Sequence, residues 1–332
     1  KNIFDCIMGL ETFFNKNGKL PLPWNNKDAL KLYDIVKKDN NIIDKDFVLK
    51  ISYTSQGDLC PIQSIIGSLV SFEAIKSCTN KFNPINQWYC FESLDSLVGI
   101  VDENDILAEK NNIRYQSQIN VFGNKFQNKL KEYYQMLIGC GGLGCELLKN
   151  FAMIGIGNII VTDMKKIKKG NLNRNFLFTE EDIGKYKSVC ARKAINKINT
   201  EINILSKKNK FERKSENSYN NDFFSKINCI ANGLDNLETR LYINERAILF
   251  NKPILDSGTF NKECYTQIVI PNLTETFNQS EYPKESSYPI CTLEHFPYKI
   301  EHTIEWAKRL FLKLFYKSPL DAKDFIKNNN YL

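Results

Sequence analysis

The run Leu137-Ile138-Gly139-Cys140-Gly141-Gly142-Leu143-Gly144-Cys145-Glu146 decides the fold, because an apolar strand feeds a G-x-G-x-x-G turn that opens directly into a helix. Gly139 and Gly141 can take backbone angles closed to other residues and let a phosphate approach the main chain, while Gly144 lets the helix lie close to the strand. The free N–H groups at the helix start, and its dipole, then favour an anion. A second strand, Asn158 to Asp163, ends in an acidic residue at about the spacing expected of a partner for a ribose hydroxyl. These features predict a Rossmann-like, doubly wound, mainly parallel sheet. A dinucleotide-dependent dehydrogenase, a flavoenzyme and an ATP user all fit them.

The residues after Asp163 discriminate among these. Gly170-Asn171-Leu172-Asn173-Arg174-Asn175-Phe176-Leu177-Phe178 supplies a cation, amides and an aromatic pair; Lys187 follows in Lys185-Tyr186-Lys187-Ser188, and Asp235 in Asn232-Gly233-Leu234-Asp235-Asn236. Arg, Lys and Asp around one nucleotide pocket suit a polyphosphate, the cations offsetting its charge and the carboxylate holding Mg²⁺. Hydride transfer requires none of them.

With these motifs in place the chain resembles the ubiquitin-activating enzymes along almost its whole length. The stretches CELLKNFAMIG (145–155), GNLNRNFLF (170–178), ANGLDN (231–236) and Pro289-Ile290-Cys291-Thr292-Leu293 resemble the active, ThiF-type adenylation half of such an enzyme and its catalytic cysteine. Upstream, Gly57-Asp58-Leu59-Cys60-Pro61-Ile62 and Phe82-Asn83-Pro84-Ile85-Asn86-Gln87-Trp88 resemble the tail of the inactive adenylation half. The resemblance implies a helical-bundle segment over 1–50, the end of the inactive half and a linker over 51–110, the active adenylation domain over 111–290, and the start of a catalytic cysteine domain over 291–332.

Composition agrees. The chain has 332 residues, 42% hydrophobic and 25% charged, the balance of a globular protein large enough for more than one core. No apolar run approaches the roughly 20 residues of a membrane helix and Lys1 opens no signal peptide, so no membrane partner is expected and the cytoplasm and nucleus are the default location. The ten cysteines form no C-x-x-C pairs, which favours reduced thiols over zinc; relatives that activate SUMO carry zinc-type pairs. The formal charge of +7 is spread over lysine runs such as 165–169 and 207–210 without aromatic interleaving, a solvated composition rather than a nucleic-acid site.

Periodicity and chain breakers set the coarse organisation. Over 1–50, Cys6, Leu10, Phe13 and Phe14 fall with apolar helical spacing, punctuated by Pro21, Pro23 and the polar run 39–41. Residues 62–78 read as one long buried helix, with a strand near 87–91 and a polar connection over 93–112. From Met136 the pattern alternates. Helices are expected near 143–154, 187–198 and 236–250, and further strands near 228–232, 253–256 and 265–270. Residues 272–288 read as a turn-rich crossover and 300–315 as an amphipathic helix.

By resemblance, the C-terminal carboxylate of ubiquitin is adenylated by ATP and then transferred to the Cys291 thiolate, for delivery to a ubiquitin-conjugating enzyme. Gly139, Gly141 and Gly144 form the phosphate turn, Asp163 binds the ribose, Asn171, Arg174, Asn175 and Lys187 bind the nucleotide, and Asp235 holds Mg²⁺. Cys140 and Cys145 read as small packing residues, and His295 as a surface or structural residue rather than a base. Three departures stand out: Asn175 replaces the usual Gln, Lys165 stands where a second acidic residue is usual, and Ser117 replaces the second Arg of an R-Y-x-R-Q helix. In related dimers that Arg reaches into the partner's ATP site. The resemblance therefore implies a fragment of a longer enzyme, with the N-terminal adenylation half as a further partner and little activity alone. Activation of another ubiquitin-like protein and a non-catalytic scaffold are the alternative readings.

Overall fold

The computed structural model describes residues 2–97, 99–107, 113–234, 236–260, 263–277 and 300–327. Two of the sequence-expected site residues, Asp235 and Cys291, lie outside them. By spatial clustering the chain comprises two compact units, one of Lys1–Gln135, Glu146–Ile160 and Arg192–Leu205, the other of Met136–Cys145, Val161–Ala191 and Ser206–Leu332.

The first unit opens with three helices, α1 (Asn2–Asn17), α2 (Asn26–Asp39) and α3 (Lys45–Thr54). Asn25 caps α2 by accepting from the Asp28 N–H, and Asp44 caps α3 by accepting from Asp46 and Phe47, each satisfying donors that a helix start leaves free. Cys6, Phe13, Leu32, Val36, Ile43 and Val48 form the core of this bundle. Phe14, expected on the same apolar face, is 49% exposed, because only Phe13 of the adjacent pair can point inward. Helix α4 (Cys60–Thr79) forms where a long apolar helix was expected, but none of its residues is buried. Its apolar side chains are distributed around the whole circumference, so the composition expected of a buried helix meets no surrounding layer among the described residues. The strand expected near 87–91 does not form, since no neighbouring strand pairs with this irregular segment. A short α5 (Glu103–Leu107) precedes α6 (Gln116–Glu132), which is kinked at Gly123, a residue with φ of 81°.

A six-stranded sheet of order β3-β2-β1-β4-β5-β6 is built from β1 (Tyr134–Ile138), β2 (Asn158–Thr162), β3 (Asn203–Lys207), β4 (Cys229–Asn232), β5 (Ile254–Phe260) and β6 (Glu263–Val269). Helices α7 (Gly142–Met153), α8 (Lys187–Ile198), α9 (Asn221–Lys226) and α10 (Leu237–Leu249) alternate with the strands. The sheet is mostly parallel: β4 and β5 run parallel with Asn232 opposite Asp256, and β6 returns antiparallel. Sequence order reverses between β1 and β4, the switch point at which ligands bind in open α/β sheets, outside the carboxyl ends of the strands. The expected Rossmann-like class is the observed one. The strand β3 was not anticipated: its burial alternates only briefly before the charged run that follows. Helix Ile300–Leu312 occupies the segment expected to be amphipathic and continues through a wider turn at Lys313–Lys317 into helix Ser318–Lys327.

Candidate functional site

The glycine turn lies wholly in the second unit, between the end of β1 and the start of α7. Gly139 has φ of 92°, and a Cβ there would meet the Gly233 carbonyl oxygen at 3.0 Å and a Leu234 methyl at 2.8 Å, so the turn after β1 lies directly against the turn after β4. A Cβ on Gly144 would fall 2.2 Å from the Gly139 carbonyl oxygen. Only glycine permits that approach of helix to strand. A Cβ on Gly141 would meet nothing within 4 Å, so this position borders open space.

Asp163, at the end of β2, turns its carboxylate back to the turn: Oδ2 accepts from the Cys140 N–H at 2.8 Å and Oδ1 from the Lys165 N–H at 2.7 Å. The carboxylate is half-buried and retains acceptor capacity for a sugar hydroxyl. Backbone pairing then brings Lys187 alongside. Ile167 N–H bonds the Lys185 carbonyl at 2.9 Å, and Lys187 N–H bonds the Lys165 carbonyl at 3.0 Å, placing Lys187 at the first position of α8. The Lys187 side chain is buried and makes no hydrogen bond among the described residues. Burial pushes its ammonium below the usual lysine range, the Asp163 carboxylate pulling the other way.

The loop over 168–178 supplies the other groups. Asn171 organises it: its side chain accepts from the Lys168 N–H at 2.9 Å and its carbonyl from the Asn175 N–H at 2.9 Å. Asn171 therefore spends its side-chain oxygen on the loop itself. Arg174 is exposed, its guanidinium anchored to the Gly170 carbonyl at 3.2 Å and the Asn173 side chain at 3.0 Å, and its Cγ and Cδ lie 3.7 Å from where a Gly142 Cβ would stand. Asn175 is 1% exposed and its Oδ1, also 3.7 Å from that point, has no hydrogen-bond partner. A buried amide oxygen without a partner, and a buried lysine side chain whose ammonium makes no hydrogen bond, are each costly to the protein alone. Both are suited to a polar ligand at the glycine turn. Lys165, in the place of the usual second acid, contributes main-chain groups to Asp163 and Lys187. Cys140 and Cys145 are fully buried. Hydrogen bonding to Cys145 and burial push the Cys140 thiol up, so Cys140 is not a reactive thiolate.

Sequence reading overlooked a second polar cluster beside the turn. Arg240 of α10 pairs with Asp256 of β5 at 2.8 Å and donates to the Leu234 carbonyl at 3.1 Å. Its signal was present, an Arg five residues after Asp235, but a helix-borne Arg ordinarily reads as solvated. Among the described residues no three His, Cys, Asp or Glu side chains cluster as a metal site. Mg²⁺ bound through nucleotide phosphates needs only one or two protein carboxylates, which the single candidate Asp235 would satisfy.

An open α/β sheet with a glycine turn, a strand-end acid and cations converging at its switch point defines a nucleotide-binding domain of the doubly wound class. The chain belongs to the ThiF family, whose model matches residues 115–309, and the model of the ubiquitin-activating enzyme SCCH domain matches residues 297–332. It is 40% identical over 329 residues to ubiquitin-activating enzyme E1 1 of Schizosaccharomyces pombe, covering 95% of this chain and 32% of that protein. It is 39% identical over 343 residues to ubiquitin-like modifier-activating enzyme 1 of Homo sapiens, covering 98% of this chain and 32% of that protein. The corresponding enzyme of Dictyostelium discoideum is 36% identical over 344 residues, 100% of this chain and 34% of its own length. The chain thus spans about a third of the length of these relatives.

Proposed function

We propose that this chain carries the ATP site and the thioester-forming cysteine of a ubiquitin-activating enzyme. The observation that carries the reading is the convergence on one glycine turn of the Asp163 carboxylate, the buried Lys187 ammonium and the unpaired Asn175 oxygen. In this reading Asp163 holds the ribose, the turn and the α7 N-terminus receive phosphate, and Arg174 and Lys187 offset its charge. Asp235 is the carboxylate for Mg²⁺, which would neutralise phosphate charge when bound. A ubiquitin carboxylate oxygen attacks the α-phosphorus and pyrophosphate leaves. The Cys291 thiolate then attacks the acyl carbon, AMP leaves, and the thioester passes to a conjugating enzyme. Positioning and charge compensation dominate the first step, and no general base is required because the attacking carboxylate is already ionised. The names of the relatives and the SCCH match beyond Cys291 support ubiquitin as the substrate. The test is ATP–pyrophosphate exchange by the intact gene product, with ubiquitin and other ubiquitin-like proteins compared side by side. Exchange stimulated by ubiquitin is expected. Stimulation by a different modifier alone would reassign the substrate, and nucleotide binding without exchange would make the protein a scaffold.

A further inference from the structure

The segment 165–167 runs antiparallel to 185–187. Ile167 N–H donates to the Lys185 carbonyl at 2.9 Å, Lys187 N–H donates to the Lys165 carbonyl at 3.0 Å, and Lys166 stands opposite Tyr186 between these bonds. Side chains alternate between faces along such a ladder, so it sorts the lysines into two groups. Lys166 lies with Tyr186, its ammonium 5.5 Å from the ring centroid, and the Lys208 ammonium approaches the same ring at 5.0 Å. Lys165 falls opposite Lys187 on the other face, with the buried Ile167. Lys187 is 7% exposed, whereas Lys165 is open to solvent. Burial depresses the Lys187 pKa most, the Asp163 carboxylate opposes it, and the Lys165 charge depresses it further, so the two ammoniums stand within each other's field.

Like charges directly opposite on one face are destabilising, and burying one of them removes water that would screen the repulsion. Asp163 offsets only part of this charge, because its two oxygens already accept from the Cys140 and Lys165 main-chain N–H groups. An anion between the two ammoniums turns the repulsion into two favourable contacts. We propose that Lys165 is a second phosphate-binding residue, its ammonium closing from the solvent side on a phosphate that Lys187 holds from within. This rests on reading the site as one for ATP and adds a cation to it. The same Lys165 peptide bonds both the Asp163 carboxylate and the Lys187 main chain, so one short ladder sets the spacing between ribose acid and phosphate cations.

Substitution at 165 tests the ammonium alone, because the bonds to Asp163 and Lys187 are made by the Lys165 main chain and survive any replacement but proline. The intact gene product is titrated with ATP and with adenosine in EDTA, so that no metal contributes. Lys165→Gln should weaken ATP binding about tenfold, the loss of one charge-assisted contact, and the charge reversal Lys165→Glu about a hundredfold. Adenosine, which carries no phosphate, should bind within about twofold of wild type in both, and Lys165→Arg should retain ATP affinity to within about threefold. A folded Lys165→Gln protein with wild-type ATP affinity overturns the proposal. An equal loss of adenosine binding overturns it too, since Lys165 would then act on the nucleoside. Should Lys165→Gln fail to fold, wild-type ATP affinity in Lys165→Glu, or a tenfold loss in Lys165→Arg, overturns it instead. A wild-type protein that binds neither ATP nor adenosine removes both the functional reading and this role, whereas normal wild-type ATP binding with an indifferent variant removes only the role.

Discussion

Lys187 shows most directly how the candidate site sets function against stability. Its ammonium is buried with no hydrogen bond among the described residues, and its pKa is lowered chiefly by that burial. Because the folded-state pKa lies below the unfolded one, the unfolded chain binds more protons between the two values, so this group's destabilising effect is present at neutral pH and fades as pH rises through that window. Lys187→Met should therefore raise the stability of the nucleotide-free protein at pH 7 by about 1 kcal/mol, seen as a higher Tm. The same change should weaken ATP binding by about 2 kcal/mol, roughly thirtyfold, because a charge-assisted phosphate contact is lost. Calorimetry with and without ATP checks both signs, and a destabilised nucleotide-free variant would show that Lys187 has a structural partner. Gly144 makes the complementary case. A Cβ there would press on the Gly139 backbone at 2.2 Å, and backbone cannot swing aside as a side-chain tip can. Gly144→Ala should cost about 1–3 kcal/mol in urea unfolding and weaken nucleotide binding as α7 shifts from the turn.

At the scale of elements, the parts legible in the sequence are those whose local chemistry and tertiary setting agree. Helix α8 occupies the expected residues 187–198, and α7 and α10 agree to within a residue or two, because apolar spacing and end signals coincide there. The glycine turn was legible because Gly139 and Gly144 each answer a separate steric demand; Gly141, expected to need a special backbone angle, has no positive φ and open space where a Cβ would stand. What could not be read depends on partners distant in sequence. Strand β3 exists because β2 lies beside it, α4 has buried-helix composition without burial, and the anchoring of Leu234 by Arg240 joins α10 to two strands. The N-terminal helices make a quantitative prediction at this scale. Gly9 sits where a Cβ would meet a Val36 methyl at 2.3 Å, so α1 and α2 approach closely around Leu32, which is fully buried. Leu32→Ala should leave a cavity between them and cost about 2–5 kcal/mol, read as a lower urea midpoint with an unchanged slope.

For the whole molecule, the proposed activity is a sequence of two reactions sharing one acyl group, and the two depend on separate parts of the chain. The groups assigned to the nucleotide lie between Gly139 and Asp235, whereas Cys291, though also within the ThiF match at 115–309, follows β6 by more than twenty residues and precedes the SCCH match at 297–332. Adenylation needs positioned cations and a metal-binding carboxylate; thioester formation needs a thiolate delivered to the product of that step. Cys291→Ala in the intact gene product should therefore retain ubiquitin-dependent ATP–pyrophosphate exchange within about threefold of wild type, since the nucleophile is not part of the first transition state. It should form no thioester on a non-reducing gel. Asp235→Ala should lose both, because the thiolate has no adenylate to attack. A thioester surviving in Cys291→Ala would assign the nucleophile to another of the ten cysteines, of which Cys60, Cys78, Cys90 and Cys264 are at least partly exposed and Cys6, Cys140, Cys145, Cys190 and Cys229 are buried. Loss of exchange together with the thioester in a folded Cys291→Ala protein would show instead that the cysteine segment helps to assemble the nucleotide site, coupling the two reactions through structure rather than through the shared acyl group alone.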